Sequence, residues 1–458
     1  MSAPEQVDLL ILGAGPAGMA AAIAARGQGV SVLLLDENAG PGGQVHRAIE
    51  TRAAKDDQDA DGARLVLALR TSGADLRFGA TLWAIEPGGK VFWSEGGVGP
   101  EARGTQARSI TARRVLLCAG ATERPLPIPG WTLPGVMSVG AAQIALKTAG
   151  LVPEARVWIA GQGPLLWLYA KQALAAGGRI AGIVDLSHGV PPDALRHLPR
   201  ALLAPGYLAK GLAWQYAVKR AGVPILRAES LRAEGEDRLR RIVIDEVAHE
   251  ADLLLLHDGV VPNTQVTRAI PGCLHDWDAV QACWRPRLDA WGNTTVEGVM
   301  VAGDAGGIGG ARAAAHAGRL AALEVAHALG RLTRNQRDAE AGRWRLALNR
   351  QLAPRRFLDA LFPPLPAAAI ADDTILCRCE EVTAGRVREA VSLGCLGANQ
   401  TKAFTRTGMG PCQGRVCGPA VHAVIAAARE VDPAAVDPFR TRFPTKPLTL
   451  GELAALAS

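Results

Sequence analysis

The sequence predicts an α/β protein with two similar strand–turn–helix units, followed by a small cysteine-rich module. The first unit has an apolar run at Val7–Leu12, a glycine turn at Gly13–Gly18, and a second apolar run at Val30–Leu35 after an alanine-rich stretch. The second unit extends from Arg156 to Asp185 around another glycine turn, and the module carries two close pairs of cysteines. Apolar runs that end in glycine turns are typical of α/β nucleotide-binding folds, and two such units amount to an internal repeat.

Composition excludes several classes of protein. The 458 residues are 48% apolar and 21% charged, which is enough for about three domains of ~100–200 residues. The net charge is +6, but no basic stripe is interleaved with aromatic residues, so a nucleic-acid partner is not expected. The polar N-terminus lacks a signal pattern, and no apolar run approaches the ~18–20 residues of a membrane span. We expect a cytoplasmic protein with no transmembrane segment; a peripheral position at the inner membrane is the alternative.

The first glycine turn has the features of a dinucleotide site. Gly13, Gly15 and Gly18 follow the pattern GxGxxG between a predicted strand and helix, with Pro16 and Ala17 opening the helix. The first glycine permits a tight turn, the second lets a pyrophosphate approach the backbone, and the third lets helix and strand pack closely. Asp36 ends the next strand and is placed to bind the adenosine ribose, with Glu37 as its rival.

Further segments favour FAD over NAD. They contain Gly43 and Gln44, then Ala119 and Gly120, then Gly303 and Asp304, and finally Gly310 and Ala311. In order and spacing they resemble the FAD domain of the glutathione reductase and thioredoxin reductase superfamily. The resemblance implies that Asp304 holds the ribityl chain and that the next helix begins facing the flavin. The alternative role for Asp304 is a helix cap, which is compatible with the first.

The remaining cysteines before residue 377 do not form a redox pair. Disulfide reductases of that superfamily carry two closely spaced cysteines beside the flavin, whereas Cys118, Cys273 and Cys283 are isolated. We interpret all three as structural residues, so dithiol chemistry is excluded. Eight cysteines in a reducing compartment favour metal binding or buried thiols over disulfides.

The second glycine turn departs from the pattern. Gly161 and Gly163 are followed by Leu166 where the third glycine belongs, and Asp185 ends the next strand. Leucine is expected to push the helix from the strand and to narrow the pocket for a nicotinamide dinucleotide. A purely structural unit and a bound adenine nucleotide both remain open, and NAD(P)H turnover is not expected.

The C-terminal cysteines predict an iron–sulfur cluster. Cys377 and Cys379 are separated by one residue, and Cys412 and Cys417 by four. Four thiolates on two glycine-rich loops suit two irons with two thiolates each, whereas zinc sites favour longer spacers within a pair. Zinc is the alternative. The spacing resembles the bacterioferritin-associated ferredoxin-like [2Fe-2S] domain, and Cys395 lies outside the pattern.

These observations divide the chain into segments. The FAD domain is expected at 1–124 and 286–345, the second Rossmann-like domain at 125–285, a linker at 346–371, the [2Fe-2S] domain at 372–430 and a proline-rich tail at 431–458. The fold class is therefore a two-dinucleotide-domain flavoprotein with a small ferredoxin-like domain.

The whole chain resembles a known family. The segments that carry the match are Leu254–Asn263, Trp284–Gly292, Ala302–Ala311 and Gly408–Arg415. They resemble the large component of heteromeric amine dehydrogenases, a group that includes the large component of opine oxidase, the α chains of dye-linked proline and D-hydroxyproline dehydrogenases, and the HcnB-type component of hydrogen cyanide synthase.

The resemblance implies an electron-transfer role in a hetero-oligomer. The amine is oxidised by a partner subunit that has its own FAD and a D-amino-acid-oxidase-like fold, and a further small ferredoxin-like subunit is a second candidate partner. In agreement, no general base can be assigned, because His46, His257 and His316 are isolated and interpreted as structural. No catalytic residue is predicted.

Three other functions remain as alternatives: a component of hydrogen cyanide synthase, a stand-alone NAD(P)H-dependent FAD reductase, and a non-catalytic redox scaffold. Two segments flank the cluster module, the arginine-rich Arg331–Arg356 and the proline-rich Pro433–Pro447. Because interfaces favour arginine, we predict that one or both dock the partner, and that removing the tail spares both cofactors.

Overall fold

The computed structural model describes residues 6–52, 57–96, 105–187, 189–366 and 370–456. Residues 1–5 of the polar N-terminus, 367–369 of the predicted linker and 457–458 of the predicted tail lie outside these ranges.

The first part of the chain contains, in order, β1 (Gln6–Leu12), α1 (Pro16–Gly27), β2 (Val32–Asp36), α2 (Asp57–Arg70), β3 (Asp75–Phe78), β4 (Ala80–Glu86), β5 (Lys90–Gly96), β6 (Thr105–Leu117) and β7 (Ala121–Glu123).

The first sheet has the strand order β3-β2-β1-β6-β5-β4. β1 is parallel to β2 and β6, whereas β4, β5 and β6 pair in antiparallel fashion. β1 and β2 are nearly continuous apolar runs because a central parallel strand is buried on both faces. Their carboxyl ends bring the Gly13–Gly18 turn and Asp36 to the same edge of the sheet.

The second part forms a parallel sheet of its own. Its elements are β8 (Val136–Ser138), α3 (Val139–Ala149), β9 (Val157–Gln162), α4 (Pro164–Ala175), β10 (Gly182–Asp185), α5 (Pro192–Ala201), α6 (Pro205–Arg220), β11 (Ile225–Arg227), β12 (Leu231–Glu234), β13 (Arg241–Ile244), β14 (Val247–Glu250) and β15 (Leu253–Asp258). The strand order is β11-β10-β9-β15-β8, and β12, β13 and β14 form a separate antiparallel meander. The mixed α/β class is confirmed.

The chain then returns to the first sheet. The returning elements are β16 (Val260–Pro262), α7 (Gln265–Ala269), β17 (His275–Asp278), β18 (Cys283–Pro286), β19 (Val299–Val301), α8 (Ala311–Ala328), α9 (Arg334–Leu352) and α10 (Arg355–Leu361). β16 pairs with β7, and β19 adds to β6. Helices α1 and α8 pack very closely, since a Cβ on Gly318 would stand 2.1 Å from the carbonyl oxygen of Ala17.

Helix α9 extends beyond the predicted start of the linker at residue 346. Thr333 and Gln336 form a capping box that begins the helix, and α9 packs on α8. Its arginines stack on tryptophans: the guanidinium of Arg345 lies 4.2 Å from the ring centre of Trp291. Helix α10 follows and packs on α5, so the connection is helical as far as Leu361.

The C-terminal module consists of β20 (Ile375–Cys377), β21 (Val382–Thr383), α11 (Ala384–Ser392), α12 (Ala398–Thr405) and α13 (Gly418–Ala428), and α14 (Leu450–Ala454) lies near the end of the chain. The module has its own core, which includes Leu376, Val387, Val421 and Ile425. In the part of the chain that the structure describes, no helix is both long enough and apolar enough to cross a membrane.

The proline-rich tail is packed against the rest of the chain. Val436 and Phe439 are buried in the core of the C-terminal module. Further along, the backbone N–H of Thr445 donates to the carbonyl of Trp83 (2.9 Å) in β4. That the tail docks a partner stays a prediction; its buried apolar side chains are used inside the molecule, so only its exposed residues are available for such a contact.

Candidate functional site

The glycine turn between β1 and α1 leaves an open cradle at the helix N-terminus. A Cβ on Gly13 would lie 2.4 Å from the carbonyl oxygen of Cys118, and one on Gly18 would lie 1.8 Å from that of Gly13. Both positions therefore require glycine for packing within the protein. A Cβ on Gly15 would meet only the Cα of Gly43, at 4.0 Å. The space above Gly15 is thus free for a pyrophosphate, with the N-terminus of α1 beneath it.

The loop from Pro41 to Val45 covers this cradle. The N–H of Gly42 donates to the carbonyl of Ala14 (2.9 Å), which holds the loop over the turn. Gly43 has a φ of 58°, and a Cβ there would lie 2.9 Å from the Cα of Gly15. Lys147 of α3 donates to the carbonyls of Gln44 (3.2 Å) and Val45 (3.0 Å). The second domain therefore helps to position the cradle.

Asp36 lies at the predicted ribose position, but its carboxylate also has a structural role. Its Oδ2 accepts from the N–H of Ala14 (2.6 Å), and its Oδ1 accepts from the backbone and side chain of Asn38. Burial raises the pKa of Asp36 above its usual value, against the opposing effect of these hydrogen bonds. The rival residue, Glu37, is exposed and forms an ion pair with Lys446 of the tail, at 2.7 Å. Asp36 stays the first candidate, since its carboxylate lies against the glycine turn at Ala14, whereas that of Glu37 is paired with the tail.

Asp304 makes the backbone contacts of the structural role considered for it, and its ribityl-binding role stays a prediction. Its Oδ1 accepts from the N–H groups of Gly309 (2.9 Å) and Gly310 (3.0 Å), which shape the turn before Ala311 begins α8. Among the described residues, no donor is bonded to Oδ2, which is free for a ribityl hydroxyl. Gly303 has a φ of 74°, and a Cβ there would stand 2.8 Å from the Cβ of Ala17.

Ala119 and Gly120 complete the cradle at the end of β6. Gly120 has a φ of 67°, and its carbonyl accepts from the N–H of Asn263 (3.0 Å). The structure therefore brings the ends of β1, β2 and β6 together with the turn before α8. An open backbone cradle, a helix N-terminus and a free carboxylate oxygen fit FAD.

The four C-terminal cysteines lie together as two pairs. The sulfur atoms of Cys379 and Cys412 are 3.9 Å apart, and Cys377 and Cys417 are also in contact. The hydrogen bond from Cys417 and the N–H of Gly408 (3.4 Å) lower the pKa of Cys377 to about 6. Among the described residues, no three side chains of His, Cys, Asp or Glu converge as a single metal ion requires. Two pairs of thiols suit a two-iron cluster better than one zinc.

Glycines allow the cysteine loops to close. A Cβ on Gly410 would stand 2.2 Å from the Cβ of Cys379. The ring of Phe439, from the tail, lies against Gly408 and Gly414, where a Cβ would come within 2.9 Å and 2.6 Å of it. Cys379 is exposed, whereas Cys377 and Cys417 are buried. The candidate cluster site is therefore accessible to solvent at Cys379, and Phe439 packs against the glycines of the cysteine loops.

The other cysteines are structural, as interpreted from the sequence. Cys118, Cys283 and Cys395 are buried. Burial raises the pKa of Cys118 to about 12 and that of Cys283 to about 11, which keeps both protonated at neutral pH. Cys273 is partly buried, and burial likewise raises the pKa of its thiol.

The second nucleotide fold holds a segment of the chain itself. The side-chain amide of Gln162, at the end of β9, donates to Asp258 Oδ1 (2.8 Å) at the end of β15 and to the carbonyl of Pro363. The N–H of Leu365 donates to Asp258 Oδ2 (3.4 Å). β9 and β15 are neighbours at the point where the strand order reverses, which is where such folds bind ligands. The proline-rich connection therefore crosses the crevice in which a dinucleotide would lie.

Leu166 acts differently from the sequence prediction. It is buried in the core between α4 and the sheet, so it does not project into the nucleotide pocket. Gly161 retains its structural role, because a Cβ there would lie 1.8 Å from the carbonyl oxygen of His257. Gly163 precedes α4 with a φ of 100°, and Asp185 Oδ1 accepts from the N–H of Ser187. The connection at Pro363 and Leu365, rather than Leu166, restricts the crevice.

Two of the three histidines near the flavin motifs contact other side chains, whereas the Nδ1 of His46 is buried with no hydrogen-bond partner among the described residues. His257 is buried, and its Nδ1 lies 2.5 Å from Glu123 Oε1. His316 stacks on Trp344, with ring centres 5.7 Å apart. Burial lowers the pKa of His46 and of His316. These contacts agree with structural roles.

Sequence reasoning missed a cleft between the first domain and the C-terminal module. It encloses about 680 Å³, part of it open to solvent, and its lining includes Gln265, Arg268, Trp284 and His422. Trp284 lies in a segment quoted for the family resemblance, but nothing in the local pattern indicated that α7 and the C-terminal module would meet.

Two family descriptions match the chain. Residues 7–319 match the pyridine nucleotide-disulphide oxidoreductases, and residues 375–427 match the BFD-like [2Fe-2S] binding domain. The chain belongs to the pyridine nucleotide-disulphide oxidoreductase family. The cofactors of this oxidoreductase are therefore FAD and a [2Fe-2S] cluster, as the cradle and the cysteine pairs indicate.

Relatives cover nearly the whole oxidoreductase chain. It is 42% identical to the large component of opine oxidase from Agrobacterium tumefaciens (strain Ach5), over 98% of this chain and 92% of the relative. It is 31% identical to the HcnB component of hydrogen cyanide synthase from Pseudomonas protegens, over 89% of each chain. The crystal structure of L-proline dehydrogenase from P.horikoshii has the same fold, with a TM-score of 0.70 and 19% identity over 99% of this chain and 81% of that one.

Proposed function

We propose that this chain is the electron-transfer subunit of a heteromeric amine or amino-acid dehydrogenase, and that a partner flavoprotein oxidises the amine. The observation that carries the proposal is the combination of an FAD cradle and a four-cysteine cluster site in one chain. The similarity to the opine oxidase component over 98% of the chain supports it, since that relative is named as one of the subunits of an opine oxidase.

The residues of this chain hold the cofactors and keep their environment fixed. Gly15 and the N-terminus of α1 receive the pyrophosphate of FAD, Asp36 receives the ribose, and Asp304 receives the ribityl chain. Cys377, Cys379, Cys412 and Cys417 hold the cluster. When bound, FAD exchanges two electrons and the cluster carries one at a time. His257 and His316 contact Glu123 and Trp344, and Asp304 holds the turn before α8, so we assign none of them as the base that deprotonates an amine.

The exposed side of the cluster site is where we propose that the partner docks. Cys379 is exposed, and the loops around it expose Met409 (48%) and Val416 (42%). Leu396 (59%) and Phe404 (73%) are also exposed in the same module. Large apolar side chains on a surface commonly mark protein interfaces, and a cluster must lie close to its electron donor. The proposed occupant is the amine-oxidising FAD subunit. A contribution from α9 stays a prediction.

A stand-alone NAD(P)H-dependent reductase is the second candidate, and the second nucleotide fold argues against it. The crevice between β9 and β15 contains Pro363 and Leu365, hydrogen-bonded to Gln162 and Asp258. A nicotinamide dinucleotide would have to displace this segment.

A role in hydrogen cyanide synthase is a further alternative, supported by the similarity to HcnB. It would be the same electron-transfer function, with glycine as the amine that the partner oxidises.

Anaerobic reduction by two donors tests the proposed function. With the co-encoded amine-oxidising subunit present, an opine, proline or glycine should bleach the flavin of this chain and develop the signal of the reduced cluster. Millimolar NADH should produce negligible bleaching, because the dinucleotide crevice is occupied. The matched control is the same amine without the partner, which should reduce neither cofactor. Rapid bleaching by NADH would establish the reductase instead, and no reduction by any donor would favour a redox scaffold.

Substitution at the exposed side of the cluster site tests the docking surface. Met409→Glu should weaken binding of the partner about ten-fold, an effect of about 1.4 kcal/mol, because a charge would be buried in an apolar contact. The FAD and iron content should not change. Leu151→Glu, at an exposed leucine (62%) of the second domain, is the matched control and should bind normally. Equal affinities for both variants would place the interface elsewhere.

A further inference from the structure

The cleft between the first domain and the C-terminal module contains an arginine for which the described residues provide no ion pair. Arg268 lies on α7, its side chain is partly buried, and its Nε is buried with no hydrogen-bond partner among the described residues. Burial lowers its pKa to about 10, so the guanidinium stays charged at neutral pH. Removing part of a charged group from water is unfavourable unless an opposite charge is supplied.

The chain supplies no anion inside this cleft. Its described lining contains two arginines, Arg268 and Arg415, and no aspartate or glutamate. Two acids on the neighbouring hairpin are already paired: Asp276 with Arg287 at 2.6 Å and Asp278 with Arg285 at 3.6 Å.

Other titratable groups around Arg268 are neutral. Burial raises the pKa of Cys283 to about 11, so that residue remains a thiol. Burial lowers the pKa of His275 and of His422 to about 4, and the charge of Arg268 contributes to both shifts. None of these three side chains can therefore neutralise the guanidinium.

A second unpartnered polar atom lies one helical turn away. Gln265 is 9% exposed and lines the same cleft. Its amide nitrogen donates to the carbonyl of Cys412 (3.4 Å), and its Oε1 is buried with no partner in the described part of the chain. Residues three apart on a helix share a face, so a free donor on Arg268 and a free acceptor on Gln265 are neighbours.

The remaining walls are mixed. Trp277 and Trp284 stand 5.7 Å apart between ring centres, Phe439 of the tail forms another apolar wall, and Thr264 and Gln413 add polar groups. Small-molecule sites likewise combine apolar walls with a few polar groups.

We propose that this cleft binds a small organic carboxylate that also carries a hydrogen-bond donor, such as a hydroxy- or amino-carboxylate. The carboxylate pairs with Arg268, and the donor bonds Gln265 Oε1. A charge-assisted hydrogen bond to a desolvated guanidinium is among the stronger ones available, and it offsets the cost of burying the cation. The cleft adjoins both cofactor sites: Gln413–Arg415 of the cysteine loop line it, and its lining residue Asn263 donates to Gly120 of the FAD cradle. Arg268 and Gln265, which would bind the carboxylate, belong to neither set of proposed cofactor ligands.

Equilibrium titration of the purified, full-length protein with both cofactors bound tests this site. Binding of glycolate, acetate and inorganic phosphate is measured by calorimetry and by tryptophan fluorescence, at constant ionic strength. Glycolate should bind at millimolar concentration and more tightly than acetate, which has no donor for Gln265. Phosphate should bind more weakly than glycolate.

Variants assign the binding to the two named side chains. Arg268→Gln should weaken glycolate binding at least ten-fold, and Arg268→Lys, which keeps the charge, should weaken it less. Gln265→Leu should remove the preference for glycolate over acetate. Arg220→Gln, at an exposed arginine of α6 in the second domain, is the matched control and should bind normally. The comparison of glycolate with acetate needs no variant, so it holds even if a variant does not fold.

Three outcomes would overturn the proposal: no saturable binding of either carboxylate, equal affinity of Arg268→Gln and the wild type, or tighter binding of phosphate than of both carboxylates. None of them depends on the amine, the partner or electron transfer. A negative result for this carboxylate site would therefore not contradict the proposed electron-transfer function, and a negative result for that function would not contradict the site.

Discussion

Gly15→Val should yield protein without flavin but with the cluster intact. The Cβ of residue 15 would stand in the open cradle, 4.0 Å from the nearest protein atom, so the valine does not clash with the fold itself. It would instead occupy the space of the pyrophosphate. Overpacking of this kind costs at least ~1–3 kcal/mol, so the affinity for FAD should fall at least about ten-fold. Flavin absorbance and acid-released FAD per chain measure the effect.

Gly27→Val is the matched control for this substitution. Gly27 lies at the end of the same helix, and a Cβ there would meet no atom within 4 Å. This variant should keep full FAD content. Stoichiometric FAD in Gly15→Val would show that the pyrophosphate lies elsewhere, and colourless Gly27→Val would show that any bulk on α1 disrupts the fold.

Cys412→Ser should abolish the [2Fe-2S] cluster while FAD remains bound. Cys412 pairs with Cys379 at 3.9 Å, and loss of one thiolate leaves one iron with an incomplete ligand set. The glycine turn of the FAD cradle lies on a different domain. We expect iron and acid-labile sulfide to fall to background, with no paramagnetic signal on reduction, whereas the wild type has two irons per cluster.

Cys395→Ser provides the comparison within the same module. Cys395 is buried at 4% exposure but lies outside the two cysteine pairs, so its substitution should retain iron and sulfide. One zinc per chain with no sulfide in the wild type would contradict the assignment of the quartet. Loss of FAD together with the cluster in Cys412→Ser would show that the two sites fold as one unit.

Local sequence rules were sufficient for the cofactor framework. The first glycine turn predicted the strand, the helix and the close backbone contacts that are seen at Gly13 and Gly18. This was possible because each glycine makes room for backbone atoms that lie a few residues away or on the adjacent strand. The spacing of the cysteines predicted that four thiols share one site, and the structure brings the two loops together, although its sulfur contacts join Cys379 to Cys412 and Cys377 to Cys417 across the loops. The family comparisons confirmed the fold class and both cofactors. The individual FAD-binding residues stay predictions until they are tested.

Long-range packing could not be inferred in the same way. Pro363 and Leu365 belong to a segment whose composition is typical of a linker, yet they bond to Gln162 and Asp258, far away in the chain. The tail also has the composition of a loose end, but Phe439 is buried against the cysteine loops. Composition indicates whether a segment would be ordered in isolation. Whether it packs in the folded protein depends on the apolar surface that distant parts of the chain present to it.

The position of Phe439 in the chain imposes an order on the maturation of the protein. All four cysteines precede it, and its ring closes over the glycines of their loops. Because the tail can pack over these loops only after it has been made and folded back, the thiols are more accessible to an iron–sulfur donor before the tail closes than after. The cluster would thus be inserted most easily before the tail packs against the module. If the tail packed first, Phe439 would have to move away from Gly408 and Gly414 before a cluster could be inserted.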